Sequence, residues 1–254
     1  MPRYRGLVAP RARPDLDLPG VHPASNIQDH ELVYELENEA SDPAGRLEVA
    51  MRAIEPWDDR VVLDLGAGTG FHLPRFAASA RHVIGVEPHG PSRRAAMERC
   101  ARLGVTNVSI LTGSAERLLL DASSVDIIHA RFAYFFGPGC ESGLAEIERV
   151  VRPDGVAFII DNDRAHGVFA TWLARSSWAP AATPQTVENF WLSQGFQILR
   201  VPSEWRFKRR EDLEAVVRIE FPAELAGELL REHAGTSIDY HYAVYWRRYG
   251  RHPR

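Results

Sequence analysis

The stretch RVVLDLGAGTGF, residues 60–71, decides the fold. Its first half is a short apolar run interrupted only by Asp64, and its second half sets Gly66, Gly68 and Gly70 at every other position. An apolar run of this length suits a strand buried on both faces of a parallel sheet. Glycines directly after it let the chain turn tightly and let a ligand approach the main chain. A helix opening next offers free N–H groups at its start. Strand, glycine turn and helix N-terminus together cradle a nucleotide-like ligand.

Outward from that turn, strands and helices alternate. Periodicity predicts a helix over 69–80, a strand over 82–87, a helix over 91–103 and strands over 107–111 and 125–130. A helix follows over 141–151 with Leu144, Ile147, Val150 and Val151 on one face; after the turn Pro153-Asp154-Gly155 comes a strand over 156–161. Such alternation argues a parallel sheet covered by helices and joined by right-handed crossovers. Upstream, Leu32, Leu36, Leu47, Met51 and Ile54 recur at helical spacing over 28–53, with a break at Ser41-Asp42-Pro43. Beyond Asp163 the rhythm changes to a stretch with Trp172 and Trp178, a helix over 184–194, a strand over 196–201, helices over 211–219 and 222–233, and a strand over 238–246. The last strand alternates and is rich in Tyr, as an antiparallel strand at the end would be.

Two ligand classes compete for the glycine turn. A dinucleotide site wants G-x-G-x-x-G, whereas the spacing here is G-x-G-x-G, with bulky Phe71 at the position where helix and strand should pack closely. Glu87, at the end of the second strand, suits both ribose hydroxyls, and an acid at that distance serves either class. VLDLGAGTG resembles the first motif of class I S-adenosylmethionine-dependent methyltransferases, and VIGVEP resembles their acidic loop after the second strand. GSAERL, from Gly113, is similar to the family's adenine-contacting stretch, and IERVVRPDG to the turn before its fifth strand. The four occur in order across residues 60–163, in the manner of the small-molecule (type 11-like) group.

The resemblance implies a Rossmann-like α/β fold: a seven-stranded, mostly parallel sheet with an antiparallel last strand and helices on both faces. It implies a flexible arm over 1–25, a helical lid over 26–56 and the methyltransferase domain over 57–254. The cofactor implied is S-adenosyl-L-methionine. Gly66, Ala67 and Gly68, with Gly70 completing the turn, would lie against its methionine part and ribose, and Asp64 would orient the loop. Glu87 would hold the ribose hydroxyls and Pro88 would cover an adenine face. Ser114, Ala115 and Glu116 would border the adenine edge, with Ser114 standing where the family commonly has Asp. Ala130 and Arg131 would sit near the methionine end.

A sulfonium methyl is already activated, so alignment and exclusion of water are the main tasks, and a base is needed only if the acceptor must lose a proton. No triad is evident. Candidates for a base or an acceptor contact are His129 and Tyr134 near the fourth strand's end and Tyr34 on the N-terminal helix, with His30 and Asn38 beside it. The DNDRAH stretch adds Asp161, Asn162, Asp163 and His166. The structural readings are a hydrogen-bonded core His129, packing by Tyr134, and capping by Asp161 and Asp163.

Composition narrows the class. The chain has 254 residues, 45% of them hydrophobic, with a formal net charge of -4 and two cysteines. No disulfide scaffold is indicated, no general basic field invites nucleic acid, and no run reaches the roughly 18 apolar residues of a membrane span. The ten His residues show no metal-ligand spacing. Cys140 reads as a buried turn cysteine, and WRFKRRED as a solvated strand end entering a helix. A cytoplasmic enzyme acting on a small-molecule acceptor is expected. Trp172, Trp178, Trp191, Tyr240 and Tyr242 are candidates for the acceptor pocket wall. The alternatives are an RNA or protein methyltransferase, or a methyltransferase-like binding module without catalysis.

Overall fold

The computed structural model describes residues 18–178 and 182–250, so most of the arm expected over 1–25 lies outside the described residues. The strands are β1 (Val61–Leu65), β2 (His82–Val86), β3 (Val108–Leu111), β4 (Val125–Arg131), β5 (Val151–Asn162), β6 (Gln197–Arg206) and β7 (Ser237–Arg248). They form one sheet in the order β3-β2-β1-β4-β5-β7-β6. β1 to β5 pair in parallel, and β7 runs antiparallel to both β5 and β6. From β1 the chain winds outward to β3 and then returns to start β4 on β1's other side. The carboxyl ends of β1 and β4 therefore flank a switch point, where open α/β sheets bind ligands.

The N-terminal helices are α1 (Ser25–Gln28), α2 (Glu31–Ala40) and α3 (Arg46–Ile54). The break expected at Ser41-Asp42-Pro43 has a function in the fold: Asp42 accepts the N–H groups of Arg46 (3.0 Å) and Leu47 (2.8 Å), capping α3. The same segment pairs with the sheet edge, Asp42 N–H donating to the Glu204 carbonyl at 3.1 Å. Between strands lie α4 (Leu73–Ala77), α5 (Gly90–Arg102) and α6 (Glu141–Val150); α7 (Val168–Arg175), α8 (Pro184–Ser193), α9 (Arg210–Glu220) and α10 (Ala223–Glu232) complete the chain.

Apolar side chains pack on both faces of the sheet. One core joins Leu47 and Met51 of α3, Leu73 and Phe76 of α4, Phe169 of α7, Leu213 of α9 and Leu229 of α10 to Trp205, Tyr240 and Tyr242. The other joins Leu144 and Ile147 of α6 and Val187 and Trp191 of α8 to Leu63, Ile128 and Tyr245.

Three of the expected elements have clearly different bounds. The helix expected over 69–80 shrinks to α4, because the glycine turn and Phe71 take up its first residues. β5 starts at Val151, since Pro153-Asp154-Gly155 forms a bulge within the strand, Asp154 at φ +67° and its N–H donating to the Tyr249 carbonyl at 2.7 Å. β6 continues through Pro202 to Arg206, which the sheet tolerates because β6 is an edge strand.

Candidate active site

The glycine turn is held from two sides. The N–H groups of Gly66 and Ala67 donate to the Val86 carbonyl at 2.9 and 3.1 Å, lashing the turn to the end of β2. Gly66 has φ +79°, and a Cβ there would lie 2.4 Å from the Ala133 Cβ. Gly68, at φ +54°, faces open space instead, with nothing within 4 Å of where a Cβ would stand. Gly70 abuts Ala96 of α5. Glu87 is buried and bridges the turn to α5: Oε2 accepts the Gly68 N–H and Oε1 the His89 N–H, both at 2.8 Å. Burial pushes its carboxyl above the usual range, against the pull of those two N–H groups and of Arg93. Pro88 follows, partly buried.

Ser114 closes a tight turn with Arg117, and its hydroxyl is buried without a hydrogen-bond partner. Ala115 is buried beside it. Glu116 accepts the Tyr134 hydroxyl at 2.7 Å and lies against Gly20, whose Cβ would fall 2.6 Å from its side chain. Tyr134, at φ +56°, packs on Phe135 and over Gly143 of α6. It therefore serves the α6 side of the sheet and does not join the other two candidates.

His129 and Asp64 are direct neighbours in the β1–β4 register, and Nδ1 lies 2.7 Å from Oδ1. The His129 ring packs on Phe76 and His72, with centroids 4.9 and 5.6 Å apart. Asp64 thus meets the site through His129. Ala130 is buried in the opposite core. Arg131, the last residue of β4, donates to Tyr242 Oη at 3.0 Å and stands 3.2 Å from His72 Nε2. A guanidinium only donates, so His72 accepts there, and burial with the Arg131 charge drives its pKa well below the usual imidazole value. Arg131, His72, His129, Asn38 and Asp42 line a cavity of about 30 Å³, room enough for a water molecule.

α2 reaches over both regions. Glu35 accepts from the Thr69 hydroxyl and pairs with Arg99 of α5 at 2.5 Å, tying α2 to the glycine turn. Tyr34 and Glu37 come within electrostatic reach of Arg131 and of Glu220 at the end of α9. Tyr240 donates to Asn162 at the end of β5, and Asn26 of α1 donates to Glu220 at 2.8 Å. His30 is exposed. Asp161 pairs with Arg164 at 3.3 Å, while Asp163 accepts the Ala165 N–H at 2.9 Å and meets His166 at 2.8 Å, which are turn-forming roles. Trp172 and Trp191 are core residues, Trp191 stacked on Tyr245, and Trp178 is exposed. Sequence reasoning passed over Glu35, Glu37, His72 and Glu220. The signal for Glu37 was its place three residues after Tyr34, on the same helix face.

A family model described as a methyltransferase domain matches residues 62–155. The chain is 35% identical over 131 residues to the protein-L-isoaspartate O-methyltransferase of Koribacter versatilis, covering 50% of this chain and 57% of that protein. It is 30% identical over 112 residues to the demethylmenaquinone methyltransferase of Chlorobaculum tepidum, covering 44% and 45%. The chain thus spans about half the length of the curated relatives it matches. Its fold matches the crystal structure of the YcgJ protein from Bacillus subtilis with a TM-score of 0.61 at 18% identity, over 82% of this chain and all of that one.

Proposed function

Because the chain belongs to the class I methyltransferase family, we propose that it transfers a methyl group from S-adenosyl-L-methionine to a small-molecule acceptor. The observation that carries the reading is the bond between Glu87 and Gly68 at the switch point of the sheet. It fixes a buried carboxylate beside an open glycine turn, and each carboxylate oxygen keeps a lone pair free for a ribose hydroxyl. The unpartnered Ser114 hydroxyl fits the same ligand, since a buried hydroxyl without a partner is costly and an adenine edge would supply one. Gly66, Ala67, Gly68 and Gly70 would take the methionine part and ribose, Pro88 an adenine face, and Ala115 and Glu116 the adenine border.

The bound cofactor supplies a methyl group activated by the positive sulfur. What remains for the chain is to orient an acceptor and to exclude water. Arg131, Tyr240 and Tyr242 stand at the carboxyl ends of β4 and β5 with Tyr34 of α2 within reach of Arg131, and we read α1 to α3 as the lid over that region. Burial of this cluster favours a small acceptor over a macromolecule. So does neutralisation of the basic stretch at the α9 entry, where Arg206, Lys208, Arg209 and Arg210 pair with Glu204, Glu39, Asp212 and Glu214. Among the described residues no helix is long and apolar enough to cross a membrane. Calorimetric titration with S-adenosylmethionine and separately with NADH tests the reading: binding of the first alone supports it, and binding of NADH instead would overturn it.

A further inference from the structure

The lid covers a charge arrangement that the glycine turn does not use. Glu37 is 6% exposed, and its Oε2 has no hydrogen-bond partner. Glu220 approaches it from α9, held by Asn26 of α1. The guanidinium of Arg131 comes within electrostatic reach of Glu37, but its donors are directed to Tyr242 and His72. The other groups facing Glu37 are the phenols of Tyr34 on α2 and of Tyr240 and Tyr242 on β7. Glu37 therefore meets a second carboxyl in a region shielded from water, while the guanidinium within its reach donates elsewhere.

Buried charges are stable when paired, and an uncompensated one is expensive. A cation carrying N–H donors would pair with the carboxylate in its ionised form and give Glu37 Oε2 the partner it lacks. We propose that Glu37 and Glu220, walled by Tyr34, Tyr240 and Tyr242, form the recognition site for the ammonium group of an amine-bearing acceptor. That the occupant is the acceptor rests on the methyl-transfer reading, whereas binding of the ammonium group does not.

The test uses the full chain and two probe pairs, methylammonium against methanol and benzylamine against benzyl alcohol, titrated with and without S-adenosylhomocysteine. At least one amine should bind about tenfold or more tightly than its alcohol, the ratio a charge-assisted hydrogen bond sustains. Glu37→Gln should abolish that preference and leave S-adenosylhomocysteine affinity unchanged, and Glu220→Gln should reduce the preference. The site is overturned if neither amine is preferred by the wild-type protein, if Glu37→Gln keeps the preference, or if Glu37→Gln instead lowers S-adenosylhomocysteine affinity tenfold, which would assign Glu37 to the cofactor's own ammonium group. Amine preference in a protein that does not bind S-adenosylhomocysteine would leave the site standing and remove the methyl-transfer reading.

Discussion

His129 Nδ1 lies 2.7 Å from Asp64 Oδ1, and both side chains are almost fully buried between β1 and β4. Such a pair fixes the imidazole and gives the aspartate a partner that burial would otherwise deny it. It also holds the strand directly before the glycine turn. His129→Ala should cost about 2–4 kcal/mol, since it strands a buried carboxylate and opens a gap beside Phe76. Urea denaturation with cofactor titration checks this: stability should fall, and the folded variant should keep S-adenosylhomocysteine binding. Unchanged stability with lost turnover would make His129 a reacting group instead.

Glu87 carries a different expectation because the proposed function assigns it to the ligand. Glu87→Gln keeps an acceptor but loses the charge, and its amide N–H₂ meets either the Gly68 or the His89 N–H. Cofactor affinity should fall by about 10–100-fold, the scale of a charge-assisted bond lost. Burial raises the Glu87 pKa, so in wild type the ionised form should be lost, and cofactor affinity with it, as pH falls through a value above the ordinary carboxylate range. The variant should lack that pH step. Calorimetry across the acidic range reads both effects.

The two glycines that face the site should separate folding from binding. At Gly66 a methyl group meets Ala133, so Gly66→Ala should destabilise the protein and weaken cofactor binding together. At Gly68 the space is open. Gly68→Ala should therefore cost only about 1–2 kcal/mol for a left-handed alanine, while its methyl group intrudes on the cofactor cradle. A small shift in Tm with a large loss of affinity is the expected signature, and equal losses in both variants would contradict the assignment of the cradle to Gly68.

The parts of this molecule legible in the sequence are those with local causes. VVLDL reads as a buried strand from its own residues, and the alternation that follows orders the sheet; Asp42-Pro43 announces the break that Asp42 then caps. Cys140 is buried at the start of α6, as expected of a turn cysteine. What was not legible depends on distant partners. α7 carries no start signal beyond Gly167, and its helix is fixed by packing Phe169 on Trp205 and Tyr240. Glu37 and Glu220 lie 183 positions apart and look like ordinary helix-surface acids until α2 and α9 are packed together. Tyr134 failed to join His129 and Tyr34 because a left-handed backbone at Phe132 and at Tyr134 turns the chain after β4, and nothing in FAYFF foretells that.

Glu37 supplies the last prediction, on stability and not on binding. Burial first, and Glu220 second, raise its pKa well above that of an exposed glutamate. A raised carboxyl pKa means that the folded state holds the proton more tightly than the unfolded chain. The stability tied to the protonated form is then fully present below the unfolded value near 4.5 and is lost as pH rises through the folded value. Glutamine mimics the protonated form at every pH. Glu37→Gln should therefore match the wild type in Tm at acid pH and exceed it increasingly as pH rises above the unfolded value, until the folded carboxyl is also ionised. Saturating methylammonium or benzylamine, whichever binds, should close that gap by pairing the ionised carboxylate in the wild type. Thermal melts of both proteins over the same pH series decide it, and a gap that widens toward acid would mean that Glu37 is stabilised in its ionised form.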